Sequence, residues 1–272
     1  MTPQELDTSR LESARRLAES GHLDGAAAIF AELAADPHDP DRAQAAVGLA
    51  VVRQEQGDAE AARAAARTAL ATGHPEYAAQ AACHLAQGFE REGDLEQARA
   101  AWQRVLGIGN STYVPLAHLA LARLAEEEGD LDRAEQELRA ALAAGGPPPA
   151  ARRLADVLIA RGEPEEAARV LQAALDGDPG AEAARLRVQL GIAHLELACA
   201  QFAWAVEDAA DAGDAGDPVD PETVSLAIEL LARTLPLRGR ADDAEAVWAY
   251  GLRHADPELA EQVRLRRERD QA

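Results

Sequence analysis

Apolar residues along the chain fall at three- and four-residue spacing, as in Leu116, Leu119, Leu121 and Leu124, which is largely the period of one helix face. A recurring turn interrupts these stretches: a glycine, usually an acidic residue soon after it, and an alanine five positions on. It occurs as Gly21 with Ala26, Gly57 with Ala62, Gly93 with Ala98, Gly129 with Ala134, Gly162 with Ala167 and Gly239 with Ala244. The first four glycines are spaced by 36 residues and the fifth follows after 33. The remaining interval of 77 residues holds two units plus an insertion, if Ala198 takes the glycine position and Ala203 the alanine position. The pattern predicts helix, tight turn, helix, repeated along almost the whole chain.

Each residue of the turn has a physical reason to be there. Glycine takes the left-handed conformation that stops the first helix at little steric cost. Asp58, Asp94 and Asp130 suit the N-cap of the second helix, and Glu60, Glu96 and Asp132 favour its positive end. Pro164 sits early in its helix, where a missing N–H costs little. Small residues stand where the two helices must approach: Ala50, Ala86, Ala122, Ala155, Gly191 and Ala232 on the first, the turn alanines on the second. A larger apolar residue follows four positions after most of those alanines, at Phe30, Trp102, Leu138, Leu171 and Trp248. Pro37, Pro179 and Pro257 discourage continuation beyond the second helix.

With small residue, glycine turn, alanine, bulky residue and terminal proline in place, the chain resembles the tetratricopeptide-repeat family. The pattern is visible in Leu154 and Ala155, Gly162, Ala167, Leu171, Ala174 and Pro179. The period of 36 departs from that family's usual 34 and is read as a longer loop between units; other solenoids of helix pairs have similar periods. The resemblance implies an all-α, right-handed superhelical solenoid in one domain, 1–272. Its seven antiparallel helix pairs fall at about 7–42, 43–78, 79–114, 115–147, 148–183, 184–224 and 225–256, with a capping helix at 257–272. Repeat six, with Ala198 and Glu207 at key positions, fits the pattern least well.

Composition narrows the classes. The 272 residues carry 48 acidic and 27 basic side chains, every basic one an arginine, for a net charge of −21. Alanine makes up close to a quarter of the chain and aromatics only 3%, which suits closely packed helices rather than a large barrel or sandwich. So acidic a surface repels phosphate backbones and anionic lipid, so neither nucleic-acid nor membrane binding is expected. No apolar run reaches the roughly 20 residues that span a bilayer, and the N-terminus shows no signal peptide, so the chain is expected in the cytoplasm. Cys83 and Cys199 read as small buried residues, three repeats apart and too distant for a disulfide in this register.

No nucleophile, metal or cofactor constellation appears, so no enzyme and no cofactor is expected. Gly145 and Gly146 before Pro147 lack the lysine and hydroxyl of a phosphate loop, and His84 and His118 fall at different helical positions. The insertion at 208–222 repeats aspartate every three residues; calcium favours such carboxylates, yet the spacing is not that of an EF-hand and also fits a solvated loop.

In the resembled family the first helices of successive units line a concave groove. Carried over by position, repeat four contributes Leu119 and Arg123, repeat five Arg152, Arg153 and Asp156, repeat six Arg185, Val188, Gln189 and Ile192, and repeat seven Glu229 and Arg233. The earlier half is more neutral, with Gln44, Val47, Val51, Gln80, His84 and Gln87. Two readings stand for the arginines: a trough for an acidic peptide, or neutralisation of glutamates on the same face. A clamp for a peptide's terminal carboxylates, known in some family members, is not supported, because its first cation and both asparagines are absent. The reading is an adaptor or scaffold that binds a protein or peptide segment, acidic by this argument. The alternatives are a ligand- or peptide-sensing regulator and, less well supported, an enzyme.

Overall fold

The computed structural model describes residues 3–177, 179–215 and 220–271. Among them are fourteen α-helices and two short 3-10 turns, with no strand. In order these are α1 (Pro3–Glu19), α2 (Leu23–Ala35), α3 (Arg42–Glu55), α4 (Ala59–Ala71), α5 (Pro75–Glu92), α6 (Leu95–Ile108), α7 (Val114–Glu127) and α8 (Leu131–Ala143). Then follow α9 (Pro148–Ala160), α10 (Pro164–Asp176), α11 (Ala183–Ala215), α12 (Pro221–Thr234), α13 (Ala241–Leu252) and α14 (Pro257–Gln271). The chain divides into two compact units, Met1–Leu154 and Ala155–Ala272.

All six turn glycines named above are left-handed, with φ between +72° and +80°. At Gly93 the glycine N–H donates to the Glu90 carbonyl at 3.0 Å and the Asp94 N–H to the Phe89 carbonyl at 2.9 Å, which closes α5. The Asp94 carboxylate then accepts from the Gln97 N–H at 3.1 Å and opens α6; Asp58 and Asp130 cap α4 and α8 in the same way. A second set of left-handed glycines, Gly73, Gly109 and Gly145, closes the second helices, also at 36-residue spacing. That register is legible in the sequence.

In the first unit the helices form two layers. The first helices α1, α3 and α5 pack in succession, and α2, α4 and α6 each pack on their own partner and on the next first helix, as α4 does on α3 and α5. Ala50, Ala86 and Ala122 and their counterparts Ala62, Ala98 and Ala134 are buried where the helices approach, and Phe30, Trp102 and Leu138 fill the space between. Methyl groups at the crossings permit axial distances near 8–10 Å, and the bulky residues supply most of the apolar area removed from water. Arg63–Glu92 and Arg99–Glu128 ion pairs recur one period apart, each tying a second helix to the following first helix.

The second unit departs from the expected pairing. Repeat six does not turn at Ala198: α11 runs unbroken for 33 residues. Ala198 lacks glycine's access to the left-handed region, no capping aspartate follows it, and Leu195 to Ala203 is a run of residues that a helix accepts. Gly191, expected at a close helix approach, is exposed. Among the described residues the hairpins closed by a left-handed glycine therefore number six rather than seven. Past Cys199 the long helix packs on α12 through Phe202, Ala203 and Val206, and the Cys199 thiol donates to Thr234 Oγ1 at 3.2 Å. Both cysteines are free and buried. The insertion at 208–222 continues α11 to Ala215, and Asp220 caps α12; residues 216–219 lie outside the described residues.

The terminal helix α14 packs on α12 and α13, with Leu259 and Val263 buried. Gly251 of α13 makes that approach possible, since a Cβ there would stand 2.9 Å from Val263 and 3.0 Å from Ile228. Arg266 locks the register by donating to Ser225 Oγ at 2.9 Å and pairing with Glu229 at 2.7 Å.

The turn chemistry yields a quantitative expectation. Gly93→Ala forces an L-residue into the left-handed region and is expected to lower stability by about 1–2 kcal/mol. Asp94→Ala removes the cap and is expected to cost about 1 kcal/mol. Chemical denaturation of the full chain followed by circular dichroism reads both losses.

Candidate functional site

Within the first unit, α1, α3, α5 and α7 present side chains along one face. Arg15, Glu19, Gln44, Val47, Val51, Tyr77 and Gln80 surround a cavity of about 280 Å³. Gln80 also borders a second cavity, of about 400 Å³, with Cys83, His84, Gln87 and Glu90 of α5, Trp102 of α6, and Tyr113, Leu116 and Arg123 of or beside α7. Gln80, His84 and Gln87 follow one another at helical spacing, so a single stripe of α5 forms the wall.

The side chains in this groove differ in whether they are already engaged. Gln44, Gln80, His84 and Gln87 have no hydrogen bond or ion pair to any described residue. Burial, together with the nearby Arg91 charge, lowers the His84 pKa, so its ring is neutral at pH 7 and offers one donor and one acceptor. Leu116 is 46% exposed, a large apolar side chain facing water at the cavity's edge.

The arginines are engaged. Arg123 pairs with Glu90 and, at 2.9 Å, with Glu127, while Glu90 also accepts from the Trp102 indole N–H at 2.8 Å. Arg153 pairs with Glu126 at 2.9 Å and donates to the Leu119 carbonyl at 3.4 Å. Arg152 likewise has a partner. In the second unit Arg185 pairs with Glu182 at 2.7 Å, Gln189 donates to Asp156, and Arg233 binds Glu229 at 3.2 Å and Asp270 at 3.0 Å. Of the two readings open at the level of sequence, neutralisation of local carboxylates is the arrangement these distances describe.

The structure therefore brings Gln80, His84, Gln87 and Arg123 to one cavity. Arg153 lies at the α7–α9 contact of the first unit, whereas Arg185, Gln189 and Arg233 belong to α11 and α12 of the second. Sequence reasoning missed Glu90, Trp102, Tyr113 and Leu116 as lining residues. Glu90 continues the Gln80–His84–Gln87 stripe by three residues and could have been found by extending it; Trp102 and Tyr113 come from other elements and carry no such signal. Among the described residues no group of three or more histidine, cysteine, aspartate or glutamate side chains is placed to hold a metal ion. No described helix is long and apolar enough to cross a membrane.

A layered array of helix hairpins, closed by left-handed glycines at a 36-residue period, is the geometry that a family comparison must match. The model of the tetratricopeptide repeat-like domain matches residues 39–196. The chain belongs to the tetratricopeptide repeat-like family. No curated protein sequence matches it. Among solved structures, the C-terminal part of a TPR repeat-containing protein from Cytophaga hutchinsonii is 14% identical, with a TM-score of 0.54, covering 93% of this chain and 98% of that one. A tetratricopeptide repeat protein from Parabacteroides merdae is 16% identical, with a TM-score of 0.50 and coverage of 96% and 98%. The apo form of the quorum sensor NprR from B. thuringiensis is 12% identical, with a TM-score of 0.50 and coverage of 91% and 76%. At these identities the likeness is one of fold.

The cysteine in this tetratricopeptide groove gives a pH prediction. Burial pushes the Cys83 thiol up to about 12 from an ordinary value near 9. The folded thiol therefore keeps its proton, and iodoacetamide at pH 8.5 is expected to alkylate Cys83 only when denaturant is added. Unfolding releases that proton between pH 9 and 12, so this group's contribution to stability is present below pH 9 and falls as the pH rises through that window. Mass spectrometry of the alkylated peptide, with and without denaturant, checks the first statement.

Proposed function

We propose that the chain is a protein-interaction module and that the groove over α3, α5 and α7 holds a segment of a partner protein. The observation that carries this reading is the set of unengaged polar side chains, Gln44, Gln80, His84 and Gln87, beside the exposed Leu116. Glutamine amides both donate and accept, so they match the N–H and C=O groups of a bound main chain. Leu116, Tyr113, Val47 and Val51 supply apolar contact for its side chains. An acidic segment on the arginines is the costlier version, because it must displace carboxylates that Arg123 and Arg153 already hold. A neutral segment with one or two apolar anchors asks for no such exchange. Membership of a family of helical scaffolds favours binding over catalysis.

Photo-crosslinking tests the assignment. A benzoylphenylalanine is placed at Gln87 in the groove, and separately at Gln103, which is exposed on α6. In extract of the native host, one discrete protein is expected to be captured from Gln87 and not from Gln103. Leu116→Asp adds a charge to a side chain already half in water, so the fold is expected to survive while affinity for that protein falls about tenfold, as for loss of a moderate anchor. Capture from Gln103 alone, or capture unaffected by Leu116→Asp, contradicts the assignment.

A further inference from the structure

The sixth repeat has the first helix of a hairpin and lacks the second, because α11 runs on past Ala198 and its later residues cannot fold back along it. Aligned on the turn position, Arg187, Val188 and Gly191 of α11 correspond to Ala46, Val47 and Ala50 of α3, to Ala82, Cys83 and Ala86 of α5, and to His118, Leu119 and Ala122 of α7. In α3 and α5 these side chains are all buried, Val47 being 5% exposed and Cys83 7%, in helices on which α4 and α6 pack. In α11 the same positions face water. Val188 is 66% exposed, Arg187 and Gly191 are exposed beside it, and a Cβ at Gly191 would meet nothing within 4 Å. Glycine inside a helix lowers its stability relative to alanine, and here no described side chain packs over it. The small residue of the helix crossing is present; the helix that crosses it is not.

The α7–α8 hairpin shows what such a helix carries. On α8 the turn alanine Ala134 and Leu138, four residues on, are fully buried. Between them Glu137 places its Oε2 2.7 Å from His118 Nδ1, with each of the two side chains 19% exposed. Arg187 stands at the position of His118 and keeps its charge at any ordinary pH. It has no hydrogen bond or ion pair to any described residue. A cation is therefore held where the regular hairpin meets a glutamate of its second helix, beside an apolar side chain and a gap that admits close approach.

We propose that this open flank of α11 docks one amphipathic helix of a partner protein, which completes the sixth hairpin from outside the chain. The docked helix carries an alanine over Gly191, a glutamate three residues on that pairs with Arg187, and a leucine at the fourth residue that covers Val188. Recognition is by helix-face anchors at i, i+3 and i+4. The assignment does not depend on the one made for the groove over α3, α5 and α7.

The chain's own α8 supplies the probe: a fluorescein-labelled peptide of residues 130–144, stapled between positions 132 and 136, which are exposed on α8. Fluorescence anisotropy with the full chain is expected to show saturable binding at one site. Gly191→Leu blocks the crossing and replaces a poor helix former, so binding is expected to fall at least tenfold while the denaturation midpoint rises. Arg187→Glu is expected to weaken binding about three- to fivefold, the worth of a partly exposed ion pair. A peptide carrying Glu137→Arg is expected to restore the affinity of that variant, as a double-mutant cycle requires. Absent or unsaturable binding overturns the proposal, as does unaltered affinity in Gly191→Leu, which would place the peptide elsewhere on the chain. A lowered midpoint in Gly191→Leu, or no restoration by the charge exchange, overturns it too.

Discussion

The architecture depends on one backbone conformation, the left-handed residue that ends the first helix of each hairpin. Only glycine takes it at little cost, and at all six hairpin turns a glycine does so, with φ near +75°. Once the chain is reversed there, the two helices are held against each other over their first turns. Packing then favours alanine at the crossing and a bulky residue one helical turn on. The buried series Ala26–Phe30, Ala98–Trp102, Ala134–Leu138, Ala167–Leu171 and Ala244–Trp248 follows from that geometry. Where the glycine is missing, the fold changes: Ala198 continues a helix, α11 runs on unbroken, and a cleft lies along it in the second unit.

Much of this was legible in the sequence because it is local. A glycine, a capping aspartate and an alanine lie within six residues of one another, and their energetics require no knowledge of the rest of the chain. The turn positions, the caps at Asp58, Asp94 and Asp130, the buried small residues and the terminal helix over α12 and α13 are all of this kind. At repeat six the residue outweighs the period. The spacing wanted a turn near Ala198, but a period is an average over units, while the backbone at 198 has only alanine's options.

The surroundings of the groove side chains were less legible. Helix position tells which way a side chain leaves the backbone and nothing about what it meets there. Arg123, Arg153 and Arg233 were placed on an inner face by position, yet each meets a carboxylate: Glu90 and Glu127, Glu126, and Glu229 with Asp270. In a chain with 48 acidic residues such pairing is the ordinary fate of an arginine. The same counting picked out Gln80, His84 and Gln87, and these have no hydrogen bond or ion pair to any described residue. Neutral polar side chains on a groove wall thus carry more information about a partner than charges do, because no ion pair within the chain satisfies them.

Both the groove and the cleft follow from where the chain turns. Regular hairpins put α3, α5 and α7 side by side and create the groove of the first unit, and the absent turn at Ala198 creates the cleft of the second. The continuity of α11 is therefore the most direct point to test. Spin labels at Arg187 and Glu207, both exposed, in a chain whose native cysteines are replaced by alanine, report the distance across Ala198 by double electron–electron resonance. A continuous helix separates them by about 30 Å, at 1.5 Å per residue. A distribution centred near 10 Å, the spacing of two packed helices, means that the chain does turn there and that the period, not the glycine, decides the fold.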